Sequence, residues 1–131
     1  MLILSARNNM SEYVTKADWV AALRSGKYKQ GKERLKANSV DDPNLCEYCC
    51  MGVLCEISPE GFEAARDRNT ELPQPKYLRY IWPDVDATNI SFGLAHLNDD
   101  LNWTFNQIAD IIEKSVDGSQ IVNMRFEKRI L

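Results

Sequence analysis

The sequence predicts a mainly α protein, with α+β as the variant: a compact single domain of short helices with a short hairpin or a C-terminal strand. Three observations carry that expectation. Two segments combine a capping residue, an acid or amide three positions on and an apolar stripe. Between them, Gly and Pro cut the chain into pieces too short for long strands or long helices. The composition is that of a globular chain: 131 residues, 44% apolar and 27% charged, with a net charge of −3, enough to bury about two thirds of the surface that the unfolded chain exposes.

Residues 1–13 have no periodic pattern and are expected to form a flexible tail, with Met10 as a second potential start; residues 14–131 are expected to form the domain. Thr15 and Asp18 predict the start of a first helix, with Val14 stapled onto Trp19. Trp19, Val20, Leu23 and the alanines give it an apolar face, and Ser25-Gly26 ends it. The next stretch, 24–36, carries Arg24, Lys27, Lys29, Lys32, Arg34 and Lys36 against one acid, Glu33. Its two glycines predict a loop. After the Asp42-Pro43 turn signal, Tyr48, Cys49, Met51, Val53, Leu54 and Ile57 are apolar almost all round, which fits a buried element read here as a helix closed by Ser58-Pro59. Pro73, Pro75 and Pro83 divide the following region into short helical turns. Ser91 to Leu97 predicts a helix ended by Asn98-Asp99-Asp100. Trp103, Thr104 and Gln107 before Ile108 are a capping box with a staple, predicting a helix to about Ser115. Asp117-Gly118 turns the chain, and Ile121 to Phe126 alternates as a strand would.

Composition also excludes function classes. No run approaches the roughly 18 apolar residues of a membrane span, and Met1 to Leu4 is too short for the core of a secretory signal. A cytoplasmic protein is expected, so Cys46, Cys49, Cys50 and Cys55 are expected to stay thiols. Cys46-x-x-Cys49 is half of a zinc knuckle without its second half, and no metal or cofactor is predicted. Gln30, Cys49 or Cys50, His96 and Asn98 occur in the order of a thiol hydrolase, but His96 and Asn98 would point to opposite sides of a helix. The basic segment around Tyr28 suits an acidic partner or an anion; a sequence isoelectric point near 5.2 weighs against general nucleic-acid affinity. Asn98-Asp99-Asp100 is sufficiently explained as a cap and turn.

Four pieces taken together, W-V-A-A-L-R-S-G-K-Y-K-Q-G-K (Trp19 to Lys32), Y-C-C-M-G-V-L-C-E (Tyr48 to Glu56), L-A-H-L-N-D (Leu94 to Asp99) and T-F-N-Q-I-A-D-I-I-E (Thr104 to Glu113), resemble a family of small uncharacterised proteins of tailed phages, cyanophages included, and more distantly a bacterial domain of unknown function. The resemblance covers roughly residues 17–114. It implies an accessory protein acting inside an infected bacterium, and a shared pocket at Tyr28, Gln30, Gly31, Asn98 and Asp99. The chain departs from the pattern at Met51, where leucine is usual, and in a longer insertion from Gly61 to Asn89.

The functional expectation is an accessory binding protein, leaning away from an enzyme with that question left open, that docks on a host macromolecule, foremost a protein and alternatively nucleic acid or another anion, through the Arg24 to Lys36 loop, with inhibition of a host or defence factor as one outcome. Its binding residues would be Tyr28, Lys29, Gln30, Lys32, Arg34, Asn98 and Asp99, with Lys27 adding charge and Tyr28 as aromatic anchor. The competing expectation is a small-molecule or nucleotide pocket made by Gln30, Cys49, Cys50, Asn98 and Asp99.

Overall fold

A computed structural model describes residues 14–38, 45–58 and 75–127; the predicted tail at 1–13, the Asp42-Pro43 turn and the first part of the Gly61–Asn89 insertion lie outside the described residues. The elements in order are α1 (Lys16–Arg24), β1 (Lys29–Gln30), β2 (Lys36–Asn38), β3 (Cys46–Tyr48), α2 (Cys50–Ile57), α3 (Pro75–Ile81), α4 (Ala87–Ala95), a π-helical turn (His96–Asp100), α5 (Phe105–Lys114) and α6 (Ser119–Met124). The fold is mainly α with one short hairpin, as the sequence predicts.

Helix α1 starts where Thr15 Oγ1 accepts from Asp18 N at 3.0 Å, and the Asp18 carboxylate answers the Thr15 N–H. It ends at Ser25, where Gly26 takes φ +77°, a left-handed conformation that only glycine adopts without a Cβ penalty. Thr104 and Gln107 cap α5 in the same reciprocal way. The three-stranded sheet has the order β1-β3-β2: β1 runs parallel to β3, pairing Gln30 with Tyr48, and β2 runs antiparallel to it, pairing Lys36 with Tyr48.

Helix α1 packs on both α5 and α2, and α4 joins α2 to α3 and α6. Trp19, Trp82, Leu35, Met51, Leu54, Leu94, Ile108, Ile112 and Ile121 are fully buried between them. Trp19 and Trp82 meet edge to face at 6.2 Å. Their indole N–H groups donate to the Cys50 and Ser115 carbonyls, so both large rings enter the core without an orphaned donor.

Two expectations are corrected. Residues 119–124 form helix α6, not a strand: Gly118 at φ +85° starts it, and only Ile121 is buried along it. Over six residues, periods of 2 and 3.6 place nearly the same positions inside, so alternation alone could not separate them. The helix expected at Ser91 to Leu97 begins earlier, at Ala87, because Asp86 Oδ1 accepts from Thr88 N at 2.9 Å. It does not stop at Asn98-Asp99-Asp100 either; those residues continue it as the π-turn.

Candidate functional site

The basic loop, the start of α2 and the π-turn meet at one place, and Asn98 is its centre. Its side chain is buried, with 1% exposure. The Oδ1 atom accepts from Gln30 Nε2 at 2.9 Å and from Cys50 N at 3.3 Å. The Nδ2 group donates to the Gly31 carbonyl and to Asp99 Oδ1, both at 2.8 Å. An amide side chain offers two donor hydrogens and two acceptor lone pairs, so Asn98 is saturated.

Gln30 makes three such bonds. Its Nε2 also donates to the Trp103 carbonyl at 2.8 Å, and its Oε1 accepts from Phe105 N at 3.0 Å, one of the first N–H groups of α5. Asp99 Oδ1 takes the Glu33 N–H at 2.9 Å. Lys32 Nζ donates to Asn102 Oδ1. Glu33 and Asn102, at φ 68° and 58°, are the non-glycine residues with positive φ among the described residues. Both sit beside this knot: Glu33 is held there by its N–H to Asp99, while Asn102 is a residue type that enters the left-handed region readily.

The knot also replaces a missing cap. Cys49 is the N-cap of α2 and makes no side-chain capping bond; Asn98, 48 residues away, serves the Cys50 N–H instead. Cys49, Cys50 and Cys55 are buried, and desolvation foremost pushes the Cys49 and Cys55 thiols up to about 12 and the Cys50 thiol well above its usual value. At neutral pH they are thiols, not thiolate nucleophiles. Both nitrogens of His96 are occupied by Asp100 and the Glu127 carbonyl, and no thiol is paired with the ring. Among the described residues, no group of three or more His, Cys, Asp or Glu is disposed to hold a metal ion.

Gln30, Gly31, Cys50, Asn98 and Asp99, expected to line a pocket, thus come together around one hydrogen-bond network, with Cys49 alongside, and spend most of their polar atoms on one another and on the main chain of Glu33, Trp103 and Phe105. Clefts of about 270 and 320 Å³ open elsewhere, one between Trp103, Gln107 and Lys114 and one between Lys16, Val20 and Arg24. Tyr28 is half-buried and packs edge to face on Tyr48 at 5.4 Å, so its ring leans inward. Lys27, Lys29, Lys32 and Arg34 are exposed. Lys29 pairs with Glu47 at 3.3 Å, and Arg24 leaves the loop for Asp110 and Glu113 on α5. Sequence reasoning missed three positions: Trp103 as a carbonyl acceptor, Glu33 as a left-handed residue, and Gly52. A Cβ on Gly52 would lie 1.6 Å from the Leu35 carbonyl oxygen, so its lack of a side chain lets α2 abut the loop.

Fold and site together define a small mainly α domain whose basic loop is tied down from within. Residues 10–85, more than half of the chain, match the family described as a domain of unknown function, DUF8296, and the chain belongs to that family. No curated protein and no solved structure matches it. The family match takes in Gln30, Gly31, Cys49, Cys50 and Gly52 and ends before Asn98. No helix among the described residues is long and apolar enough to cross a membrane.

Proposed function

We propose that this protein is a binding module that docks on an acidic protein surface through the outer side of the loop carrying Lys27, Lys29, Lys32 and Arg34. One observation carries the reading: the inner side of this loop is fixed by Gln30, Asn98 and Asp99, while its four cations are exposed. A loop whose backbone is already ordered loses little entropy on binding, so its charges are presented at low cost. The partly exposed Lys29–Glu47 pair is no obstacle, since surface ion pairs contribute little and exchange readily for a partner's carboxylates. Steering by these cations would chiefly raise the association rate. The resemblance to tailed-phage proteins supports a host cytoplasmic macromolecule as the target.

The test compares the full chain with a K27E/K32E/R34E variant as baits in nuclease-treated lysate of the host cell. A specific protein recovered by the wild type, salt-sensitive and reduced at least about tenfold by the variant at unchanged Tm, supports the reading. Equal recovery by both baits would overturn it. A partner lost on nuclease treatment would replace the protein surface with nucleic acid.

A further inference from the structure

His96 is the only histidine in the chain, and it opens the π-turn with an oxygen acceptor against each ring nitrogen. Nδ1 lies 2.7 Å from Asp100 Oδ2, four residues on. Nε2 meets the main-chain carbonyl of Glu127, beyond the end of α6. A carbonyl oxygen has no hydrogen to give, and neither has a carboxylate. Both contacts can be hydrogen bonds together only when each ring nitrogen carries a proton, that is, when the ring is an imidazolium. A neutral ring would turn a lone pair toward one of the two oxygens and lose that contact.

The two contacts differ in what else holds them. Asp100 belongs to the same helical turn as His96, so their pairing does not depend on where the segment after α6 lies. Glu127 is tied otherwise by its N–H to the Met124 carbonyl at 3.1 Å and, two residues back, by Arg125 to Asn89. Phe126 is 69% exposed and adds little burial. The carbonyl is therefore the contact that gives way.

We propose that His96 is a pH-operated latch: as an imidazolium it clips the end of α6 to the π-turn, and on losing a proton it keeps Asp100 and releases the Glu127 carbonyl. The charged groups around it among the described residues agree. Asp100 on its own turn and Glu127 across from it favour the cation, Arg125 is turned to Asn89, helix α4 has no charged residue, and Asp99 is directed to the basic loop. The Glu127 carbonyl foremost, then the Asp100 carboxylate, raise the ring above its ordinary value of 6.5. A raised imidazole contributes stability that is complete below the ordinary value and is lost as pH rises through the raised one. The latch is thus closed in mild acid and opens on the alkaline side.

The single histidine makes the test direct. Ring nitrogen–hydrogen correlations and amide exchange are followed on the full chain from about pH 5 to about pH 9. The expected result is a doubly protonated ring at the acid end. The protection factors of Phe126 and Glu127, corrected for intrinsic exchange, should then fall several-fold with the midpoint of the ring titration, which lies above 6.5. H96Q should remove that pH dependence and leave these amides weakly protected throughout. E127A, which keeps the carbonyl, should retain it with a somewhat lower midpoint. A neutral ring while Phe126 and Glu127 remain protected, or protection that ignores the ring titration, would overturn the latch.

Discussion

Helix α5 and the π-turn before it are separated by four residues and are built in opposite ways. Helix α5 is held by near neighbours: Thr104 and Gln107, three apart, cap each other, and Phe105, Ile108, Ala109 and Ile112 bury one face. The π-turn is held by strangers: Asn98 and Asp99 reach Gly31, Gln30 and Glu33, 66 to 68 residues away, and Cys50, 48 away. A local device works wherever its few residues occur together. A device made of distant partners works only after the chain has folded, and it converts the exact identity of one buried side chain into the position of three segments.

The sharpest way to break that contrast is Asn98→Ala. It strands the Cys50 N–H and the Gly31 carbonyl at a buried junction, a loss of about 3–4 kcal/mol at roughly 1–3 kcal/mol per unsatisfied group. Urea unfolding measures it. Alkylation reads the same event locally: the native protein should label first at half-buried Cys46, whereas Asn98→Ala should bring Cys49 and Cys50 to comparable rates as the start of α2 loosens. A loss below about 1 kcal/mol, within the range of ordinary surface substitutions, would show the knot to be decoration.

Gly52→Ala probes the same junction by volume instead of polarity. The new Cβ would overlap the Leu35 carbonyl oxygen, which is main chain and cannot rotate away. A destabilisation of about 2–3 kcal/mol is expected, at the upper end of overpacking costs, despite alanine's better helix propensity. A variant as stable as the parent would mean that α2 can slide along the loop, and that the knot does not fix its position.

The same contrast explains what was legible in the sequence. Helices α1 and α5 were readable to within a residue at their starts, because Thr15/Asp18 and Thr104/Gln107 carry the signal locally. The buried thiols were readable too, from the apolar surroundings of Cys49, Cys50 and Cys55. Asn98-Asp99-Asp100 was misread as a helix stop because three polar residues in a row are locally a turn signal; only Gly31, Gln30 and Glu33 make them a continuing turn. Gln30 and Asn98 are singled out, but as docking or pocket residues, since a polar side chain in a sequence does not reveal whether its partner is a ligand or another part of the chain. Helix α6 was lost to the shortness of its pattern.

Thr104→Ala should cost about 1 kcal/mol, the usual worth of an N-cap. The cost should be confined to α5: amide exchange should quicken in its first turn, Asn106 and Gln107 above all, while the protection of Cys50 N–H stays as it was. A change at Cys50 of the same size would couple the local device to the distant one through Gln30, whose Oε1 holds Phe105 N.

The smallest effect, and the one of opposite sign, belongs to Glu33→Gly. Glu33 is exposed and has φ 68°, a left-handed conformation costing an L residue about 1–2 kcal/mol. Glycine removes that cost but loses about 0.5–1 kcal/mol of unfolded-chain entropy. The main-chain N–H to Asp99 is kept in either case. The balance is a gain of about 0.5 kcal/mol, seen as a slightly higher Tm, while Glu33→Val at the same site should lower it. If glycine instead destabilised the fold, the loop would be drawing stability from the Glu33 side chain, and the strain beside the knot would not be imposed by Asp99 and Asn98.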